Sequence, residues 1–151
     1  MWGSVEEKGI LVAELVGLHR YQLDEKSRIA LPAKFRAAFA EGLYLTLGVD
    51  GCLFAFPREE WERRSEEVRA GLGEADRHRE RMFFAFAEAV QLRQGRLTIP
   101  GRLRDLVGMG REVVVVGVST RVEIWPASEW DRYEQGHMRT YLQGVAQQDE
   151  R

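Results

Sequence analysis

The sequence predicts an α+β fold in which one β-hairpin and short-helix unit occurs twice. Residues 28–36 read RIALPAKFR, and residues 96–104 read RLTIPGRLR. Each copy alternates apolar and polar residues before its proline, as a half-buried strand does, and continues into helix-forming residues after it. A match of this length at a fixed spacing indicates an internal repeat, and the rest of the chain follows the same order twice.

The repeat extends well beyond these nine residues. The spacing is 68 residues up to Gly110 and 69 beyond it, which implies one inserted residue near Arg111. On this alignment Leu45 matches Val114, and Leu47 matches Val116. The identical residues are Arg28, Pro32, Arg36, Gly42, Gly48, Val49, Pro57, Glu60 and Trp61, which recur as Arg96, Pro100, Arg104, Gly110, Gly117, Val118, Pro126, Glu129 and Trp130.

Composition limits the classes of protein that this chain can belong to. Its 151 residues, 44% of them hydrophobic, allow one domain or two small halves that share a core. The formal charge of −2 means that any nucleic-acid contact must come from a local basic patch. The single cysteine, Cys52, excludes an intramolecular disulfide and argues against a cysteine metal site. The apolar run at residues 10–18 is too short to span a membrane, so we expect a cytoplasmic protein.

The elements of the first half follow from turn and helix signals. Residues 1–8 are expected to be an N-terminal extension. Pro32 fits the first position of a helix, and Gly42 supplies its end. The polar turn at residues 24–27 predicts a hairpin with a basic residue at its rim. We therefore expect strands up to residue 23 and at 28–31, a helix at 33–40, strands at 43–47 and 51–56, and helices at 58–69 and 76–88.

The second half restarts the same order. A lead-in strand, a turn at residues 93–95 and a return strand precede a short helix that begins at Pro100. The β-branched run at 113–116 and the alternating run at 121–125 predict a second hairpin. A terminal helix opens near Ser128, and the polar composition after Gly136 predicts a disordered tail. The expected boundaries are 17–61 for the first repeat, 62–87 for the connecting helices, 88–130 for the second repeat and 131–151 for the C-terminal helix and tail.

These motifs carry a family resemblance. The segments LDEKSRIALPAKFR and GCLFAFPREEW, repeated as LRQGRLTIP and RVEIWPASEW, resemble the MraZ family of bacterial transcriptional regulators over roughly residues 17–135. The resemblance implies two AbrB/SpoVT-like halves whose hairpins interleave into a pseudo-dimer within one chain, a double-split β-α-β arrangement. It also implies ring-like homo-oligomers that bind short repeated sites in the promoter of the division and cell-wall gene cluster.

The turns depart from the family pattern in two places. In the first turn, Ser27 stands where the family has glycine, whereas the second turn keeps Gly95. A serine costs about 1 kcal/mol there if the turn needs a positive φ. In the second turn, Leu92 replaces the acidic residue, and the lead-in is one residue shorter. Asp24 is therefore the single copy of the acid that, in the family, orders the turn and orients the arginine.

Two local basic patches suggest contact with duplex DNA. Each patch has five basic residues: Arg20, Lys26, Arg28, Lys34 and Arg36 in the first, and Arg93, Arg96, Arg102, Arg104 and Arg111 in the second. Arginine neutralises phosphate and bonds guanine with two hydrogen bonds, and a β-hairpin is narrow enough to enter the major groove. We expect Arg28, with Lys26 beside it, to make the base or groove contact and Arg96 to act in the second half. The candidates for phosphate contact are Lys34, Arg36, Arg102 and Arg104. For Arg36 and Arg104, ion pairs inside the fold or between subunits are the alternative.

No enzymatic mechanism can be assembled from the motifs. His19, His78 and His137 have no carboxylate or cysteine at ligand spacing, and no nucleophile elbow or phosphate-binding loop is present. We expect no metal, no cofactor, no small-molecule substrate and no membrane partner. The hypothesis is a cytoplasmic, nucleoid-associated DNA-binding regulator that acts as a homo-oligomer. The alternatives are a scaffolding ring with incidental DNA binding and an antitoxin-like AbrB protein.

Overall fold

The computed structural model describes residues 15–71 and 73–149 of the chain. The expected N-terminal extension, residues 1–8, lies outside this part. The first half contains β1 (Val16–Gln22), β2 (Arg28–Ala30), α1 (Ala33–Ala38), β3 (Leu43–Leu47) and β4 (Leu53–Pro57). The connecting helices are α2 (Arg58–Arg69) and α3 (Glu74–Ala85). The second half contains β5 (Glu88–Val90), β6 (Arg96–Thr98), α4 (Gly101–Val107), β7 (Glu112–Val118), β8 (Val122–Pro126) and α5 (Ala127–Asp149).

The strands form one six-stranded antiparallel sheet and one two-stranded ribbon. The order in the sheet is β1-β7-β8-β4-β3-β5, and the ribbon pairs β2 with β6. The equivalent strands of the two halves are β1 and β5, β2 and β6, β3 and β7, and β4 and β8. Exchanging them gives the same sheet order read from the opposite edge, so a pseudo-twofold axis passes between β4 and β8. This arrangement confirms the α+β fold of two interleaved repeats.

The sequence predicts that the first two strands pair as a hairpin, and this prediction is correct for the turn but wrong for the strands. The turn closes, since the N–H of Asp24 donates to the carbonyl of Arg28 at 3.0 Å. The strands then separate, because β1 pairs with β7 and β2 pairs with β6. In the second half β5 likewise pairs with β3. Each half thus hydrogen-bonds to the other half's strands, which places the apolar faces of both halves in one shared core.

The sheet has a covered layer on each face. On one face lie the ribbon and the short helices, with Phe35 of α1, Phe39 directly after α1 and Leu103 of α4 buried in the core. On the opposite face α2 and α3 pack over β3 and β4, while α5 packs over β7 and β8. The α5 side buries Val114 and Trp125. The ribbon is therefore fixed to the sheet from one side, and its other side remains outward.

The pairing of β7 corrects the sequence alignment of the two hairpins. Leu45 pairs with Ala55 in the first hairpin, and Val115 pairs with Ile124 in the second. Leu45 and Val115 are both buried in the main core, so they are equivalent at a spacing of 70. Val114, which the alignment matched to Leu45, faces α5 instead. Because side chains alternate across a strand, the one-residue error exchanges the two faces of β7.

The C-terminal segment is also more ordered than its composition predicts. Instead of ending near Gly136, α5 continues to Asp149. A single glycine inside a helix costs only about 1 kcal/mol, which neighbouring helix-forming residues can offset. The connecting helix expected at residues 76–88 runs from Glu74 to Ala85, and β5 follows it. Among the described residues, no helix is both long enough and apolar enough to cross a membrane.

Candidate nucleic-acid interface

The first turn is organised by the side chain of Asp24. Its Oδ1 atom accepts the backbone N–H groups of Lys26 at 2.8 Å and Arg28 at 3.0 Å. Its Oδ2 atom accepts the Nε–H of Arg28 at 2.9 Å. Ser27 has a φ of 59°, so the turn does need a positive φ where the family has glycine. Asp24 therefore fixes both the backbone of the turn and the direction of the arginine.

The electrostatics of the turn agree with this geometry. Desolvation acts to raise the pKa of Asp24, but the hydrogen bonds from the backbone N–H groups of Arg28 and Lys26 and from the Arg28 guanidinium act against it. The net result is a pKa below the usual value for an aspartic acid. The carboxylate is therefore ionised at neutral pH, and it holds the guanidinium as a charged pair.

The second turn closes without an acidic residue. Arg93 and Arg96 exchange two backbone hydrogen bonds of 3.0 Å, so only two residues, Gln94 and Gly95, form the loop. Both have positive φ, 54° and 74°, as a two-residue turn between antiparallel strands requires. This loop is one residue shorter than the three-residue loop of the first turn. Among the described residues, no carboxylate contacts the Arg96 side chain.

The ribbon brings the two repeated arginines onto one surface. Arg28 of β2 pairs with Thr98 of β6, and Ala30 pairs with Arg96. The intervening Ile29 and Leu97 point into the core and are 2% and 0% exposed. Because side chains alternate along each strand, Arg28 and Arg96 both lie on the outward face. We call this outward face, with Lys26 at its end, the ribbon surface.

The two turns are also tied together through the backbone. The carbonyl of Ser27 accepts the N–H of Ile99 at 2.9 Å, and the carbonyl of Gly95 accepts the N–H of Leu31 at 3.2 Å. These two bonds are related by the pseudo-twofold axis. They extend the pairing of the ribbon by one residue at each end, so the turns cannot move independently of the strands.

The four remaining candidates are not all on the ribbon surface. The Arg36 side chain lies over Gly95, where its Nη1 is 2.6 Å from the place that a Cβ would occupy. Arg36 thus crosses from the first half to the second turn. Arg104 donates from Nε to the carbonyl of Ile99 at 3.3 Å. The guanidinium of Arg102 lies 4.7 Å from the centre of the Phe86 ring, so both arginines of α4 have partners within the fold.

Lys34 and Arg20 take positions beside β1. Lys34 Nζ is 5.5 Å from the ring centre of Phe35. Arg20 forms an exposed ion pair of 2.7 Å with Asp131 of α5. Arg20 was counted in the first basic patch, but this pair directs it toward α5. The structure therefore divides the basic residues that the sequence groups together.

Sequence reasoning did not single out Arg58 or assign a site to Arg93. The fold places Arg58 and Arg93 beside one cavity, together with Tyr44 of β3. Arg93 had a weak signal, since it is a basic residue in the second turn. Arg58 had no signal in the sequence, because its place beside Arg93 depends on how β5 joins the edge of the sheet.

The fold and the ribbon surface define a class of protein: a duplicated hairpin and helix unit whose interleaved halves present paired arginines. Comparison with known proteins agrees with this assignment. The family model described as "MraZ protein, putative antitoxin-like" matches residues 15–83 and 82–147. The chain belongs to this family.

Curated relatives are similar over most of the chain. A protein of Salinispora arenicola (strain CNS-205) named "Transcriptional regulator MraZ" is 45% identical over 121 residues, 78% of this chain and 85% of the relative. A protein of the same name from Thermobifida fusca (strain YX) is 46% identical over 122 residues, 79% and 85% of the two chains. Another, from Parafrankia sp. (strain EAN1pec), is 44% identical over 131 residues, 85% and 92% of the two chains.

Proposed function

We propose that this protein is a DNA-binding transcriptional regulator and that the ribbon surface enters the major groove. The observation that carries the proposal is the Asp24 carboxylate, which holds Arg28 by its Nε on the outward face of the ribbon. The names of the curated relatives support the same function. The protein acts in the cytoplasm, in association with the nucleoid.

The geometry suggests how Arg28 reads a base. Asp24 engages only the Nε of Arg28, and within the described part of the chain its two terminal nitrogens have no hydrogen-bond partner. Those nitrogens form the fork that bonds the O6 and N7 atoms of guanine. A guanidinium already held by a carboxylate loses less conformational freedom on binding than a free side chain does. Lys26 and Arg96 then supply phosphate contacts at the two ends of the ribbon.

Arg36 also supports this interface, because it lies over the second turn. In the same proposal, Lys34, Arg102 and Arg104 contribute to phosphate contact from the short helices. Arg102 and Arg104 already have partners inside the fold, so their contribution is the smaller one.

The proposed targets are short repeats in the promoter of the division and cell-wall gene cluster. A homo-oligomer, arranged as a ring, engages several repeats at once, so that weak individual contacts add through effective concentration. The far part of α5 supports self-association, since exposed apolar side chains stand there at helical spacing: Met138, Tyr141 and Leu142.

The test is a binding measurement with the duplex that contains the protein's own upstream promoter. A scrambled duplex of equal length is the control, and both are titrated across a salt series by fluorescence anisotropy. We expect tight binding to the promoter that survives competition and weakens steeply with salt, because phosphate neutralisation releases counterions. Equal, weak binding to both duplexes would contradict the proposal.

The second candidate is a scaffolding ring, which the engaged arginines of α4 favour. If the arginines serve packing and subunit contacts, oligomers form while no duplex is preferred. An antitoxin-like role, in which a toxin protein is the partner, is a related alternative that the description of the matching family model favours. The same promoter titration separates both from the regulator, because neither predicts discrimination between the two duplexes.

A further inference from the structure

An open cavity of about 650 Å³ lies at the edge of the sheet, beside the second turn. It is bounded by β3, the short strand β5 and the beginning of α2. The lining residues that matter for its chemistry are Glu41, Tyr44, Arg58, Arg93 and Thr98. At this edge β5 pairs with β3 over only three residues, whereas its counterpart β1 pairs with β7 over seven.

The two arginines give the cavity its charge. Arg58 pairs with the carboxylate of Glu62 at 3.8 Å, and both side chains are more than 60% exposed. Such a pair contributes little, because solvent screens it. The side chain of Arg93 forms no ion pair within the described ranges. Glu41 is the one acidic residue in the lining, so the cavity has an excess of positive charge.

The cavity also offers hydroxyl groups on fixed elements. The ring of Tyr44 stacks on Trp61, with centroids 4.7 Å apart and planes within 8°. Thr98 belongs to β6, where it pairs with Arg28. The lining residues therefore carry two guanidinium groups and two hydroxyl groups, which are hydrogen-bond donors suited to an oxyanion.

The pseudo-twofold axis shows that the two arginines of this cavity have no basic counterparts in the other half. Under the repeat, Arg58 corresponds to Ala127, and Arg93, which closes the second turn, corresponds to Asp24, which closes the first. Tyr44 pairs with Phe56 as Val114 pairs with Trp125, and Val114 is buried under α5. The arginines are thus absent where the fold alone would repeat them, so the fold does not require them.

We propose that this cavity binds a phosphate group through Arg58 and Arg93. The planar guanidinium matches the geometry of phosphate and donates two hydrogen bonds to it. The phosphate comes from one of two sources: the DNA backbone that flanks the ribbon surface, or a free nucleotide that acts as an effector. The position of Thr98 opposite Arg28 makes the cavity continuous with the ribbon surface. The first source rests on the proposed function, whereas the second does not.

The test uses the full chain with Arg58→Ala and Arg93→Ala combined. Arg69→Ala is the control, since Arg69 is an exposed arginine at the opposite end of the same helix. Binding of the promoter duplex is measured across a salt series, and binding of ATP and of inorganic pyrophosphate is measured by calorimetry without DNA. A second double variant, with Arg58→Lys and Arg93→Lys, keeps the charges and removes the forks. Circular dichroism verifies that every variant folds.

If the cavity binds a phosphate of the DNA backbone, the alanine double variant binds the duplex about tenfold more weakly than the wild type. Its salt slope then falls by about one per lost contact. If the cavity binds a free nucleotide, ATP or pyrophosphate binds the wild type and Arg69→Ala but not the alanine double variant. The salt slope of duplex binding is then unchanged. If the double variant matches Arg69→Ala in every measurement, the cavity is not a phosphate site. If the wild type fails to prefer its promoter, the regulator hypothesis fails, and the calorimetry still tests the cavity.

Discussion

The side chain of Asp24 contacts Arg28 twice, once at its backbone and once at its guanidinium group. The Asp24 carboxylate accepts the Arg28 backbone N–H at 3.0 Å and its Nε–H at 2.9 Å. A single acidic residue thus shapes the turn and directs the guanidinium outward. In the second half Arg93 takes the corresponding place in the turn, and Arg96 has no such support. The two arginines share a surface but are not held equally.

This difference predicts separate effects of the two arginines on DNA binding. Arg28→Ala should reduce affinity for the promoter duplex to that for a scrambled duplex, because it removes a base contact. Arg96→Ala should weaken binding to both duplexes by a similar factor and lower the salt slope by about one, as loss of a phosphate contact does. Anisotropy titrations with both duplexes measure the two effects.

Arg28→Ala should leave the assembly unchanged, which light scattering measures. The Arg28 side chain is 31% exposed and contacts its own turn, so its removal disturbs little packing. Loss of the oligomer in this variant would assign Arg28 a structural role. Equal losses of sequence preference in Arg28→Ala and Arg96→Ala would show that the two turns read DNA alike.

The depressed pKa of Asp24 predicts a pH-dependent contribution to stability. A carboxyl group whose pKa is lower in the folded state stabilises the fold above its unfolded pKa, near 3.9, and this contribution disappears as the pH falls through the folded pKa. Asp24→Asn should therefore melt at a lower temperature than the wild type at pH 7. The difference in Tm should shrink as the pH falls below about 4. A difference that stays constant down to pH 2 would exclude the charged pair as its cause.

The turn conformation predicts that Ser27→Gly stabilises the protein. Ser27 has a φ of 59°, where a side chain is disfavoured and glycine is not. Part of the gain is offset by the greater freedom of glycine in the unfolded chain, so we expect about 0.5–1 kcal/mol. For a chain of this size, that corresponds to an increase in Tm of about 1–4 °C. A lower Tm in thermal denaturation would mean that the Ser27 side chain stabilises the fold by more than its positive φ costs.

The contact between β1 and β7 predicts a large effect of Gly117→Ala. A Cβ at Gly117 would lie 2.5 Å from the backbone carbonyl carbon of Leu15 and from the backbone nitrogen of Val16. Backbone atoms of a paired strand cannot move aside cheaply, so we expect a loss of about 2 kcal/mol or more. Gly110→Ala is the matched control, since nothing lies within 4 Å of its Cβ position. Equal urea midpoints for the two variants would show that β1 is not held against β7 as described.

The sequence was sufficient for the elements and their duplication, but not for the way in which the strands pair. Apolar alternation and the prolines before both short helices located most strands and helices, because these signals depend on neighbouring residues. The partner of β1 was not predictable in this way, because a strand that ends in a tight turn ordinarily pairs with the next strand. The register of β7 was misplaced by one residue, since glycine matches at the hairpin ends cannot show where an extra residue is accommodated.

The candidate site also has a part that the sequence predicted and a part that it did not. The sequence by itself determined that Asp24, Ser27 and Arg28 form one turn, because these residues interact across no more than four positions. Only the tertiary structure decided that Arg28 and Arg96 share a surface, that Arg36 lies over Gly95 and that Arg58 joins Arg93 beside a cavity. These pairs are brought together by β2 pairing with β6 and by β5 joining the sheet edge. The physical reason is that local turns follow from short-range hydrogen bonds, whereas interleaving follows from burying the apolar faces of both halves in one core.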